Sequence, residues 1–212
     1  MSGHGHGHGH GHGCDGDHDH DETPEMGLQY SLFSKIDLDN LQCLNEAVED
    51  SGKTIFKPWE RRLDRELFVE SDADEELLIN IPFTGNIKLK GIIVIGGEDQ
   101  THPSKMKLYK NIPRMTFDDT SVPVDQEFDL HPDANGTLEY STMAVKFSTV
   151  HHLTVYFPQN FGALTTRLYY IGLRGEFTPA HRHGVTICSY EAKPNVADHK
   201  TDVFNMAAKQ VQ

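Results

Sequence analysis

The sequence predicts an all-β fold, an antiparallel β-sandwich or jelly roll, with a His-rich tail before it and a flexible tail after it. Three observations carry this prediction. Short segments with apolar residues at period two recur along the middle of the chain. Turn signals rich in Gly, Pro, Asn and Asp separate them, giving about eight strands. Long helical periodicity is almost absent between them, which argues against a parallel sheet built from strand–helix units.

Residues 1–26 are an alternating His-Gly tract followed by Cys14 and an Asp/His run. Nothing there can bury an apolar face, so disorder is expected, with an expression tag as the competing origin of the tract. The folded domain is expected over residues 27–195, and 196–212 reads as a loosely ordered tail. Leu32, Ile36, Leu38, Leu41 and Leu44 suit a short, partly helical opening with Asp37 or Asp39 as its cap. Residues 50–66 are polar, are broken by Gly52 and Pro58, and hold the only tryptophan, Trp59.

Strands dominate from there. Glu75–Phe83 reads as a buried strand ended by Pro82-Phe83 and a Gly85-Asn86 turn. In the next strand, Ile87, Leu89, Gly91, Ile93 and Ile95 are expected on one face, with Lys88 and Lys90 pointing away. Lys105–Asn111 places Met106 and Leu108 inward, and Gln126–Leu130 and Leu138–Tyr140 lie around the Asn135-Gly136 turn signal. Lys146–Phe157 carries Leu153, Val155 and Phe157 at period two, Pro158–Leu164 is a loop, and Thr166–Phe177 and Gly184–Tyr190 complete the set.

The formal charge is -13. Six of the 32 acids sit in residues 1–27, which hold no Lys or Arg, so 26 acids face 19 bases, or -7, in the rest. Such a balance repels phosphate backbones and anionic headgroups, which argues against nucleic-acid and membrane-surface roles. Cys14, Cys43 and Cys188 form no paired framework, and no run approaches the length of a membrane span. A reducing compartment follows as the expectation: cytoplasm, nucleus or both.

Catalytic signatures are missing: no Gly-rich phosphate loop, no G-x-S-x-G and no H-E-x-x-H. The 14 histidines deserve separate weighing. His4, His6, His8, His10, His12, His18 and His20, with the Cys14 thiol, could wrap Zn²⁺, Ni²⁺ or Cu²⁺ weakly, but nothing preorganises one geometry. No other cofactor is expected. In the body, His151-His152 and His181-Arg182-His183 read as surface histidines rather than metal ligands.

The run Glu70-Ser71-Asp72-Ala73-Asp74-Glu75-Glu76 is the densest charge feature of the body. It reads as a solvated connection or as an acidic docking patch for a basic partner; the spacing of a Ca²⁺ loop is missing. Trp59, beside Arg61 and Arg62, has the character of an interface anchor, or of a plug at one end of the sandwich. Val203, Phe204 and Met206 could enter a partner groove or simply belong to a disordered tail.

Several strings taken together resemble the PITH domain, the proteasome-interacting module of thioredoxin-like proteins. They are Cys43-Leu44-Asn45-Glu46, the run from Glu70 to Ile79, Ile87-Lys88-Leu89, Lys107 to Pro113 followed by Met115 to Asp119, and Tyr170 to Gly175. The resemblance implies a jelly roll similar to galactose-binding-like domains and association with the 26S proteasome. The W-C-x-x-C motif of the thioredoxin-like relatives is missing here, so their redox activity does not carry over. The expectation is a non-enzymatic, monomeric adaptor or inhibitor that docks on the proteasome regulatory particle. A jelly-roll module for a small ligand or carbohydrate, and a metal-handling protein acting through the tail, are the alternatives.

Overall fold

The computed structural model describes Gly3 and residues 30–179. The chain divides into two units, 1–180 and 181–212, and the second lies outside the described residues. So do the expected strand at 184–190, the His-rich tail and the tail residues Val203, Phe204 and Met206.

Eight strands run in order: β1 (Gln42–Leu44), β2 (Val69–Glu70), β3 (Leu77–Gly96), β4 (Pro103–Lys110), β5 (Gln126–Asp129), β6 (Glu139–Ser141), β7 (Val150–Asn160) and β8 (Arg167–Pro179). Every pairing among them is antiparallel. A single α-helical turn, α1 (Ser51–Thr54), and three 3-10 turns are the helical content of the described residues.

β3 is the spine. Its first half pairs with β1 on one edge and β7 on the other, and β4 and β5 extend the sheet beyond β7. Its second half pairs with β8 on one edge and β6 on the other, and β2 lies beyond β8. Two layers, β1-β3-β7-β4-β5 and β2-β8-β3-β6, are thereby joined through one strand into a continuous sheet that folds around a common core.

The expected break at Pro82–Asn86 is therefore not a break. Pairing with β1 stops at Asn80, so Pro82 stands where that neighbour has already ended, and the register with β7 shifts between Pro82 and Ile87. Gly85 makes no turn; a Cβ there would press within 2.8 Å of the Phe177 ring and the Thr178 carbonyl, so its missing side chain lets β8 approach.

The core takes alternate residues from every long strand: Leu77, Ile79 and Ile81 from β3, Met106 and Leu108 from β4, and Leu153, Val155 and Phe157 from β7. The predicted alternation holds in β4 and β7. In β3 it changes face. Leu89 pairs with Gly175 and Gly91 with Arg174, so a bulge at Lys90 turns the strand over. Ile87, Leu89, Ile92 and Val94 enter the core, whereas Ile93 and Ile95 pack outside it with Tyr170 and Trp59. Each fully buried aliphatic or aromatic side chain contributes roughly 1.5–3 kcal/mol relative to exposure.

The opening segment is less helical than expected. Only Phe33–Lys35 makes a 3-10 turn, without a side-chain cap, and Ser31 and Ile36 instead bridge to Arg174 and Phe83. Asp37 lies past this turn and caps nothing; its carboxylate accepts hydrogen bonds from Asn40. The strands either side of Asn135-Gly136 do not pair together: β5 joins β4 and β6 joins β3. Buried Asp133 accepts the backbone N–H of Asn135, Gly136 and Leu138, which shapes that turn.

Candidate docking cleft

Beside the short edge strand β2, two polar segments frame a cleft of about 430 Å³ lined from Ala47 to Thr54 and from Glu66 to Glu70. The first wall is built by Glu46. Its carboxylate accepts the Asp50 and Gly52 backbone N–H groups at 2.8 and 2.7 Å, serving as the cap that Asp50 itself, at φ 63, does not provide. Gly52 is buried directly over Cys43, where any Cβ would collide with the cysteine side chain.

The second wall hangs on Lys57, which is only 5% exposed. Its Nζ donates to the carbonyls of Asp64 and Leu67 at 2.6 and 2.8 Å, which closes the loop from Pro58 to Phe68. Burial lowers its pKa, with Asp64 opposing the shift and Arg61 adding to it. Leu67 and Phe68 are left 44% and 37% exposed, and across the cleft Val48 is 68% exposed. Phe68 is edge-on to Tyr169 and lies under the Arg167 guanidinium.

The rim is acidic: Glu49, Asp50, Glu66 and Glu70 all line it. Lys53 pairs with Asp50 at 2.8 Å and Arg167 with Glu70 at 2.7 Å. Burial works against ionised Glu70, but hydrogen bonds from Thr165 and Arg167 hold its pKa below the ordinary value. Glu49 and Glu66 make no ion pair among the described residues. An apolar floor under an acidic rim can receive apolar side chains flanked by Lys or Arg.

Of the residues singled out in the sequence, Glu70 lies in this cleft. The rest of the acidic run is largely occupied in shaping the chain. Asn45, at φ 66, donates to the Asp74 carboxylate and the Glu76 carbonyl and accepts the Ala73 N–H, while the Asp72 N–H reaches the Asn45 carbonyl. Thr166 ties down the Glu75 carbonyl. Asp72 and Asp74 remain exposed at the surface of this knot.

Trp59 sits elsewhere. It covers the outer face of the β8-side layer, 6.3 Å from the Tyr170 ring, with Arg62 stacked on it at 4.0 Å. Burial pushes the Tyr170 hydroxyl up to about 12. Arg62 also donates to the Asn135 carbonyl, and Arg61 pairs with Asp64. No hydrogen bond or ion pair joins the Trp59–Arg62 group to the acidic run among the described residues.

Sequence reading missed Val48, Leu67, Phe68 and Lys57. In the run Leu67-Phe68-Val69, Val69 alone of the three is buried. Burial and the Glu46 carboxylate push the Cys43 thiol pKa up, away from the thiolate form that a nucleophile uses. Among the described residues, no group of three His, Cys, Asp or Glu side chains could hold a metal ion, and no helix is long and apolar enough to cross a membrane.

The PITH domain family model matches residues 22–194. The chain belongs to the PITH domain family. It is 64% identical over 188 residues to PITH domain-containing protein GA19395 of Drosophila pseudoobscura pseudoobscura, covering 89% of each chain. It is 61% identical over 180 residues to PITH domain-containing protein 1 of Homo sapiens, covering 84% of this chain and 85% of that one. Among solved structures it is similar to the CBM32-1 and CBM32-2 domains of Clostridium perfringens ZmpB in complex with GalNAc. That likeness has a TM-score of 0.52 and 10% identity, over 72% of this chain and 38% of that one. It bears on the fold alone.

Proposed function

We infer that this PITH protein is a non-catalytic module that docks on the regulatory particle of the 26S proteasome and modulates degradation as an adaptor or inhibitor. The observation that carries this reading is the family match over residues 22–194, which takes in every described strand. The acid-rimmed cleft supplies a surface suited to the task, since Val48, Leu67 and Phe68 are exposed large apolar side chains gathered at one cleft. Its counterpart is a segment of the regulatory particle with apolar residues flanked by basic ones. Cytoplasmic and nuclear placement belongs to the same reading. No cofactor enters it, and Zn²⁺, Ni²⁺ or Cu²⁺ held by the His-Gly tract would be incidental.

The test uses purified regulatory particle and the full chain at physiological salt, followed by native electrophoresis and sedimentation. Comigration is expected. Leu67→Asp, at an exposed position, should weaken it roughly tenfold or more while leaving the fold intact. A chain that stays free of the particle would sink the proposal.

A further inference from the structure

A second cleft, of about 570 Å³, opens over the outer face of the other layer, and the register of the sheet explains its chemistry. Three cross-strand rows run along that face. Leu44, Leu78 and Tyr156 form the first, and Met115 packs on Leu78 and Tyr156 to close it. Gln42, Asn80 and Thr154 form the second, and Pro82 and His152 the third. The face thus changes from apolar and covered to polar and open within two steps of one strand.

The floor is rigid. Asn80, 5% exposed, donates to the Met115 carbonyl at 2.8 Å and accepts the Thr154 hydroxyl at 2.8 Å. One wall is the Asp37–Asn40 turn, where Asn40 Nδ2 donates to the Asp37 carboxylate at 2.8 Å. The opposite wall is Pro113-Arg114, reached through two residues in the left-handed region, Asn111 at φ 59 and Arg114 at φ 54. Asn111 fastens this wall to β7, donating to the Thr149 carbonyl and accepting the N–H of His151 and His152.

Two groups at the site are unspent. Arg114 makes no hydrogen bond or ion pair among the described residues. His152 Nδ1 is buried with no partner, a condition that costs free energy until a polar group is brought beside it.

We propose that this cleft binds a small, uncharged, polyhydroxylated molecule of sugar or cyclitol size. Three primary amides, Asn40, Gln42 and Asn80, each offer donor and acceptor, as vicinal hydroxyls require. One carboxylate, Asp37, and one guanidinium, Arg114, on opposite walls give the lining no net charge to favour an ion of either sign. Pro82, Phe83 and Pro113 give the apolar surface that a C–H face can cover. An extended peptide is disfavoured, because β3 and β7 in the floor are already paired by β1 and β4 as well as by each other. The volume lies within the range of small-molecule sites. This inference does not rest on the docking reading.

The test is a set of amide correlation spectra of the full chain titrated with galactose, N-acetylgalactosamine and myo-inositol, with inorganic phosphate and glycylglycine as contrasts. Saturable shifts confined to residues 37–42, 80–83, 113–115 and 152 are expected with at least one of the three polyols. Arg114→Gly should weaken that binding roughly tenfold or more, since a charged hydrogen bond is lost. The glycine suits the positive φ, so thermal stability should not fall. Gln42→Ala, exposed on β1, should weaken it less. No saturating shift with any polyol, saturation by phosphate or glycylglycine instead, or an Arg114→Gly chain of unchanged affinity would each overturn the proposal.

Discussion

The cleft beside β2 and the cleft over β3 and β7 share one core but differ in what holds them open. The first is framed by loops: Glu46 shapes one wall, and buried Lys57 holds the other by two carbonyls. The second is floored by paired strands, with side chains fixed by register and by the Asn80–Thr154 hydrogen bond. Loop walls with apolar tips can adjust to a macromolecular partner, whereas a strand floor with placed polar groups suits a small ligand of fixed shape.

The largest expected effect removes the shared support. Phe157→Ala, in the centre of the core, should cost about 3–5 kcal/mol in urea unfolding and weaken both clefts together. If one cleft kept its binding in a chain so destabilised, the common core would not be what positions them. A separation is expected from Lys57→Met, which leaves the Asp64 and Leu67 carbonyls without their donor. It should cost about 2 kcal/mol and raise hydrogen exchange across residues 58–68, with the amides of residues 80–83 unchanged. Equal loosening at both sites would erase the distinction.

Acid should act with a smaller effect, through His102 in the body of the fold and His152 in the second cleft. His102 is 3% exposed; burial lowers its pKa below the usual 6.5, although Pro103 and Asp133 oppose the shift, and His152 is lowered by burial and then by His151. The unfolded chain therefore binds protons more readily than the folded one as pH falls below 6.5. The stability these imidazoles contribute is present above that value and lost as pH drops through the lower folded values. His102→Phe should flatten the fall of the melting temperature between neutral and mildly acid pH. An unchanged slope would assign the effect to other groups.

Much of the fold was legible because alternation reports burial directly. Met106, Leu108, Leu153, Val155 and Phe157 lie inward as their spacing requires. What escaped was backbone geometry that leaves no compositional mark. The bulge at Lys90 moves Ile93 and Ile95 to the outer face, and the second bulge, at Tyr169, keeps Leu168 inside while Tyr170 faces Trp59. Pro82 and Gly85 looked like punctuation because those residues usually are; here a missing neighbour and a close approach explain them. The acidic run was visible as charge, but Arg167 meets Glu70 from 97 positions away, and Asn45 reaches Asp74 across 29, so its structural share could not be seen locally. The open apolar tips of Leu67 and Phe68 sit next to buried Val69 in one apolar run, and composition does not tell which of the three faces out.

Hydrogen exchange on the full chain, alone and bound to purified regulatory particle, tests docking through the loop-framed surface most directly. Protection concentrated in residues 46–54 and 66–70, with residues 37–42 and 80–83 unaltered, is the predicted pattern. Protection that leaves 46–54 and 66–70 untouched would contradict it.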